Sequence, residues 1–215
     1  VELVANGDFA LGNTAFTSNY INGGIGFGTY NVTNNPLLFN NQWHIPQDHT
    51  PTPDNMMLMT DGDDSGTFPV LWKQSVLVEP NKDYIFKFWG AMAYYANAPT
   101  IEVKINGVVQ SNFTLLDGNN QVGIWQPFSL MVNSGAASQF LIELTDRSTS
   151  SIGNDFALDD ISLRSVCHYT DSLVISVKGG TAPTLDLGPN ITACSNATHT
   201  FDAGAGFESY LWQDG

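Results

Sequence analysis

The fold is indicated most clearly by one stretch of sequence, Ile101-Glu102-Val103-Lys104-Ile105-Asn106-Gly107-Val108-Val109. Apolar and charged side chains alternate along its first five residues with the period of two that places the apolar ones on one face of a β-strand. Asn106-Gly107 is the preferred pair for a two-residue hairpin turn of type I′. The stretch therefore predicts two antiparallel strands joined by a tight turn.

Short patterns of the same kind recur along the chain, and no helical period is sustained. We expect further strands at residues 71–78, 84–89, 128–132, 140–144, 156–163 and 173–177, each bounded by Gly, Pro, Asn, Asp or Ser. Many short strands at this spacing are typical of an all-β sandwich or barrel. We assign five phenylalanines to its core: Phe86, Phe88, Phe128, Phe140 and Phe156.

Composition limits the partners of the chain. Its 215 residues include 7 Lys and Arg against 21 Asp and Glu, a formal net charge of −14. Such a chain has no basic surface for nucleic acid, and no apolar run approaches the roughly 18 residues that insertion into a membrane needs. We expect a mature chain or fragment of a soluble protein. Cys167 and Cys194 are compatible with one disulfide or with two free thiols.

A break in composition at Gly179-Gly180-Thr181-Ala182-Pro183 predicts a linker over 179–183, between a sandwich at 1–178 and a shorter unit at 184–215. In the shorter unit, residues 185–190 and 201–207 resemble the opening strands of immunoglobulin-like modules of the polycystic-kidney-disease type. The resemblance implies an incomplete module within a larger secreted or cell-surface protein. Such modules are found in proteins of Bacteroidetes, often ahead of a type 9 secretion signal.

The larger unit also carries family-like motifs, Asn6-Gly7-Asp8-Phe9 near its start and Asn154-Asp155-Phe156-Ala157-Leu158-Asp159-Asp160-Ile161-Ser162-Leu163 near its end. They resemble the first and last strands of galactose-binding-like jelly-roll domains of the carbohydrate-binding-module type. The resemblance implies a structural calcium ion joining those strands, held by Asp8 through its backbone and by Asp160 through its side chain. These modules often have Glu where this chain has Ala10.

Two clusters of acidic residues are candidate metal sites on their own chemistry, apart from any resemblance. Asp61-Gly62-Asp63-Asp64-Ser65-Gly66 matches the first six positions of an EF-hand loop, but position 12 is Trp72. Asp61 and Asp63 therefore form either a partial calcium site or a plain turn. Strand alternation sends Asp159 and Asp160 to opposite faces, so one carboxylate must be buried, with either a cation or backbone N–H groups as its partner.

The loop containing His44, Asp48 and His49 could hold zinc, but ordinary polar surface is the simpler interpretation. Four aromatic residues stand in polar, loop-like sequence: Trp43, Tyr94, Tyr95 and Trp125. Exposed rings flanked by amides suit a sugar, whose apolar face stacks on the ring. Alternatively, Trp43 and Trp125 cap the ends of the core.

These features favour a non-enzymatic extracellular module, stabilised by calcium, that serves in adhesion or binds glycans. Two alternatives remain at this stage. The chain could be a structural repeat or subunit of a surface appendage that binds neighbouring protein, or an accessory module of a secreted hydrolase.

Overall fold

The computed structural model describes residues 1–45, 47–50, 54, 56–116, 121–166, 185–189, 191, 198, 200–206 and 209–211. The chain divides into two compact units, Val1–Ser165 and Val166–Gly215. Among the described residues, no helix is long and apolar enough to cross a membrane.

The described part of the first unit contains ten β-strands and one short 3₁₀ turn, Pro36–Leu38. The strands are β1 Ile21–Asn22, β2 Thr29–Thr33, β3 Met57–Asp61, β4 Val70–Leu77, β5 Asp83–Met92, β6 Thr100–Ile105, β7 Val108–Thr114, β8 Gln126–Asn133, β9 Gln139–Asp146 and β10 Asp155–Ser165.

The strands form two sheets, in the orders β1-β2-β3-β10-β5-β8 and β4-β9-β6-β7. From β3 to β6, successive strands alternate between the two sheets, and all pairings except the short β1–β2 contact are antiparallel. This arrangement is a β-sandwich of jelly-roll type, as the sequence predicted.

The predicted hairpin is present between β6 and β7. Ile105 pairs with Val108, and the two residues between them, Asn106 and Gly107, have φ angles of 51° and 77°. Positive φ at both positions is what a type I′ turn requires. The strands predicted at 71–78, 84–89, 128–132, 140–144 and 156–163 correspond to β4, β5, β8, β9 and β10.

The core lies between the sheets and is rich in aromatic side chains. All five phenylalanines assigned to it are buried: Phe86, Phe88, Phe128, Phe140 and Phe156. Trp72 of β4 and Phe9 of the N-terminal segment are fully buried with them. Burial of this apolar surface supplies the main driving force for closing the two sheets on each other.

The N-terminal segment is held to the sandwich by polar side chains. Gln74 of β4 accepts a hydrogen bond from the backbone N–H of Ala5 and donates to the carbonyls of Ala5 and Ala15, each at 2.9 Å. The Glu2 carboxylate accepts hydrogen bonds from the backbone N–H of Leu163, at 2.8 Å, and from Nε of Arg164, at 2.9 Å. These bonds join the start of the chain to strands β4 and β10.

In the second unit the described residues include two carboxylate-closed turns, in which Asp186 and Asp202 accept hydrogen bonds from the backbone N–H groups of Gly188 and Gly204. The predicted linker, the strand at 173–177 and both cysteines, Cys167 and Cys194, lie outside the described residues. The division into 1–178 and 184–215 and the immunoglobulin-like module therefore stay predictions.

Candidate functional site

The outer face of the six-stranded sheet carries a second, smaller apolar cluster. Phe86 and Phe88 of β5 point into the sandwich, so the alternate positions of the strand, including Ala91, point outward. The outward side chains of β3, β5 and β10 are covered by Trp43 and Ile45 from the loop before β3. Trp43 is only 2% exposed. Its ring therefore caps an apolar cluster, and it has no open face for a sugar.

Tyr94 and Tyr95 follow directly after β5 and form an exposed aromatic pair. Their ring centroids are 4.2 Å apart with an interplanar angle of 35°, and the hydroxyl of Tyr94 donates to that of Tyr95 at 3.0 Å. This hydrogen bond raises the pKa of Tyr94. The Tyr95 side chain is 52% exposed. The pair thus presents a fixed aromatic surface to solvent.

Trp125 lies at the same end of β5. The backbone N–H of Gly123 donates to the carbonyl of Met92, the last residue of β5, at 2.9 Å. The Trp125 indole N–H donates to the carbonyl of Gln47 at 3.1 Å, and the side chain is partly exposed. The end of β5 therefore brings the segments that carry Tyr94, Tyr95 and Trp125 together.

His49 connects this region to strand β5. Its ring stacks on Trp89 with centroids 3.8 Å apart and meets Trp125 edge-on at 5.8 Å. Sequence reasoning missed Trp89, although the alternation in β5 points it outward once Phe86 and Phe88 are assigned to the core. His49 and the two indoles form one contiguous, partly exposed aromatic patch.

Hydrogen bonds between polar residues attach the loop of His49 to strand β10. Asp159 is fully buried, and its carboxyl accepts hydrogen bonds from the backbone N–H groups of His49, at 3.1 Å, and Asp160, at 2.7 Å. Asp48, 1% exposed, shares a hydrogen bond with Asp159. Burial, together with the Asp48 carboxyl, raises the pKa of Asp159 to about 10, so Asp159 holds a proton at neutral pH.

The Asp160 carboxylate is also engaged by this loop. It contacts Nδ1 of His49 at 2.6 Å and accepts a hydrogen bond from the Thr50 hydroxyl. Asp160 stands at a β-bulge with a φ of 48°, which turns its side chain away from the regular alternation of β10. The carboxyls of Asp159 and Asp160 therefore have backbone and side-chain hydrogen-bond partners within the chain itself.

Asp8 and Asp160 are neighbours through the backbone. The N–H of Ile161 donates to the carbonyl of Gly7 at 2.9 Å. The exposed Asp8 carboxylate accepts a hydrogen bond from the N–H of Ala10 at 3.3 Å. The first and last segments therefore meet as the resemblance implied, but the carboxylates of Asp8 and Asp160 have different partners.

A second acidic group lies where β3 ends and β10 begins. Asp61 and Asp155 pair directly across the two strands, and their carboxyls are in hydrogen-bond contact. Burial raises the pKa of Asp155 to about 7, with the Asp61 charge adding to the effect, and burial also raises the pKa of Asp61. Asp63, the other predicted ligand in this loop, accepts a hydrogen bond from the Ser65 hydroxyl at 2.5 Å.

Nearby, the Asn154 side chain donates to Asp146 at 2.7 Å, and burial raises the pKa of Asp146 to about 6. Asn154 and Asp146 were not predicted as site residues, because the contact joins the segment before β10 to the end of β9 in the other sheet, which neighbours in sequence do not reveal. Within the described ranges, no three His, Cys, Asp or Glu side chains are arranged to hold a metal ion, and His44 is exposed.

Comparison with known proteins gives a likeness of fold. Neither a protein family nor a characterised protein matches the sequence. Among solved structures, the chain is similar to the enzymatically active domain of tailspike protein 4 of bacteriophage CBA120, with 17% identity over 77% of this chain and a TM-score of 0.48. It is also similar to the arabinose-bound α-L-arabinofuranosidase MgGH51, with 12% identity over 78% of this chain and a TM-score of 0.51.

A third similar structure is the CBM22-1 xylan-binding domain of Paenibacillus barcinonensis Xyn10C. The similarity covers 71% of this chain and 86% of that domain, with 15% identity and a TM-score of 0.42. The chain spans 22% of the tailspike structure and 27% of the arabinofuranosidase. At these identities the likeness concerns the fold alone, which is that of the jelly-roll sandwich.

Proposed function

We propose that the sandwich is a non-enzymatic, extracellular glycan-binding module of a larger protein, and that the glycan binds at the end of β5. The observation that carries this proposal is the exposed Tyr94–Tyr95 pair at the end of β5, where the segment that carries Trp125 also lies. Flat rings held at a fixed angle can stack on the apolar faces of sugars at little cost in conformational entropy. The ring pair of Tyr94 and Tyr95 is fixed by its own contacts, so binding would not have to order it.

The carboxyl pairs of the sandwich support a non-enzymatic role. Hydrolysis of a glycosidic bond needs two carboxyl groups that are separated enough to hold the bond between them. Asp48 and Asp159 are in hydrogen-bond contact and at most 1% exposed, and Asp61 and Asp155 are also in contact and buried. Neither pair leaves room for a substrate.

The calcium ion implied by the resemblance fits poorly between Asp8 and Asp160. The Asp160 carboxylate already binds Thr50 and His49, and Ala10 offers no side-chain oxygen. Calcium needs six to eight oxygens. We therefore assign no role in glycan binding to an ion at this position.

The proposal is tested with a glycan array followed by calorimetric titration of the best ligand. Tyr95→Ala should weaken binding about tenfold, equivalent to about 1.4 kcal/mol, and leave the melting temperature unchanged because the ring is exposed. Phe27→Ala is the matched control, since Phe27 is 50% exposed and lies in a different loop. It should bind as the unmodified chain does.

Two results would count against the proposal. One is a silent array. The other is a ligand whose affinity is the same for the unmodified chain, Tyr95→Ala and Trp125→Ala, which would place glycan binding away from the end of β5.

A further inference from the structure

The edge strands of the two sheets are β1, β4, β7 and β8, and three of them are protected from pairing with another chain. Strand β1 has only two residues. Strand β4 contains the charged Lys73, which exchanges two backbone hydrogen bonds with Thr17 of the N-terminal segment, each at 2.9 Å. Strand β7 bulges at Gln110, which has no partner on β6. Short strands, charged or covered strands and bulges are the usual means of preventing edge-to-edge association.

Strand β8 has none of these protections. Its eight residues pair with β5 in unbroken register, from Gln126 opposite Gly90 to Asn133 opposite Asp83. Within the described part of the chain, β5 is its only strand partner. The strand contains no charged residue, and its one proline, Pro127, lies near its start. A long, regular and uncharged edge is a template for pairing with another strand.

The side chains of β8 fit a second strand of the same sequence. Phe128, Leu130 and Val132 face the core, and the last two are only partly buried. In an antiparallel pair centred on Leu130, Phe128 of each copy would lie opposite Val132 of the other. The partly exposed apolar row at the rim of one core would then be covered by the same row of the second copy.

The charge of the chain favours the same contact. A net charge of −14 makes most surfaces of two copies repel each other. Like charges directly opposite each other destabilise a strand pair. Because β8 contains no charged residue, pairing through β8 places no like charges opposite each other.

We propose that two copies of this chain associate through β8, which pairs antiparallel with β8 of the second copy across a two-fold axis. The two six-stranded sheets would then form one continuous sheet. A two-fold contact uses the same surface on both chains and closes after two copies, so the product is a dimer and not a filament.

Sedimentation velocity of the full chain over a range of concentrations tests this association. We expect the mass of one chain at the lowest concentrations and the mass of two chains at the highest. Salt should strengthen the dimer, because it screens the repulsion between the two acidic chains. Hydrogen exchange adds a measurement that needs no variant: the backbone N–H groups of residues 128–133 should exchange more slowly as the concentration rises.

A variant with both Ser129→Lys and Met131→Lys should weaken the dimer at least tenfold. Both side chains are exposed, and in the pair centred on Leu130 each lysine would lie opposite a lysine of the second copy. The matched control has both Ser75→Lys and Leu77→Lys, which are exposed positions with the same spacing on β4. It carries the same added charge and should dimerise as the unmodified chain does.

The mass of one chain at every concentration would overturn the proposal. Slow exchange of the β8 N–H groups in that single chain would show that another segment of the same chain covers this edge. A dimer that the β8 variant leaves unchanged, or that the β4 variant weakens equally, would also overturn the proposal, because the contact would lie elsewhere. These measurements contain no glycan, so their outcome is separate from that of the array.

Discussion

Asp159 offers the sharpest test of how the loop of His49 is held. The carboxyl of Asp159 has three partners: the N–H groups of His49 and Asp160 and the carboxyl of Asp48. In Asp159→Ala all three lose their partner. At about 1–3 kcal/mol for each buried group left unpaired, and less where water can enter beside the half-exposed His49, we expect a loss of about 2–4 kcal/mol in the free energy of unfolding.

Asp159→Asn should cost much less. The amide resembles a protonated carboxyl in shape, keeps an acceptor for the Asp160 N–H and donates to Asp48, so only the bond from His49 is lost. We expect a loss of about 1 kcal/mol at neutral pH. The comparison between Asn and Ala thus separates the hydrogen-bond role of Asp159 from its charge.

The same pair of proteins should differ in pH dependence. Because the pKa of Asp159 is raised in the folded state, its proton stabilises the fold fully below the unfolded-state pKa of 3.8, and this stabilisation is lost as the pH rises toward about 10. The side chain in Asp159→Asn does not ionise, so this variant does not lose stability in this way as the pH rises. Its stability relative to the unmodified chain should therefore increase between pH 5 and pH 8, by at most about 1.4 kcal/mol per pH unit.

Urea unfolding followed by tryptophan fluorescence at several pH values measures both effects. Two results would contradict this role of Asp159: an equal loss of stability in Asp159→Asn and Asp159→Ala at pH 7, or a difference between Asp159→Asn and the unmodified chain that does not change with pH.

Further predictions concern packing. Gln74→Glu should destabilise the chain by about 2 kcal/mol or more in chemical denaturation, because a carboxylate cannot donate to the carbonyls of Ala5 and Ala15, whereas a surface control such as Gln110→Glu should stay within about 0.5 kcal/mol. Gly62→Ala should lower the melting temperature clearly, since its Cβ would lie 2.4 Å from the carbonyl oxygen of Asn154; an unchanged melting temperature would show that the packing between Gly62 and Asn154 can relax.

Local patterns were sufficient to predict strands β4 to β10 and the core. The hairpin at Asn106-Gly107 and the alternation around Phe86 and Phe88 depend on neighbours in sequence, and both are found as predicted. Strands β1 to β3 carried weaker signals, because the loops around them are rich in Asn and Gly and their pairing with each other and with β10 decides their positions.

The candidate sites depended on contacts between distant parts of the chain. Trp43 stands between Gln42 and His44, both exposed, yet the loop lays its ring on Met57 and Met59. The partner of Asp159 is Asp48, from a loop far away in the sequence, so the sequence could show that a buried carboxylate needed a partner but could not identify it. The register of β3 against β10 likewise decides that Asp61 faces Asp155.

The most direct test of glycan binding at the end of β5 is NMR of the chain with ¹³C-labelled tyrosine rings, titrated with the glycan selected on the array. If the glycan binds there, the ring signals of Tyr94 and Tyr95 should shift in a saturable way, while those of the buried Tyr30 and Tyr84 should stay in place. Ring signals of Tyr94 and Tyr95 that do not move at saturating glycan would contradict it.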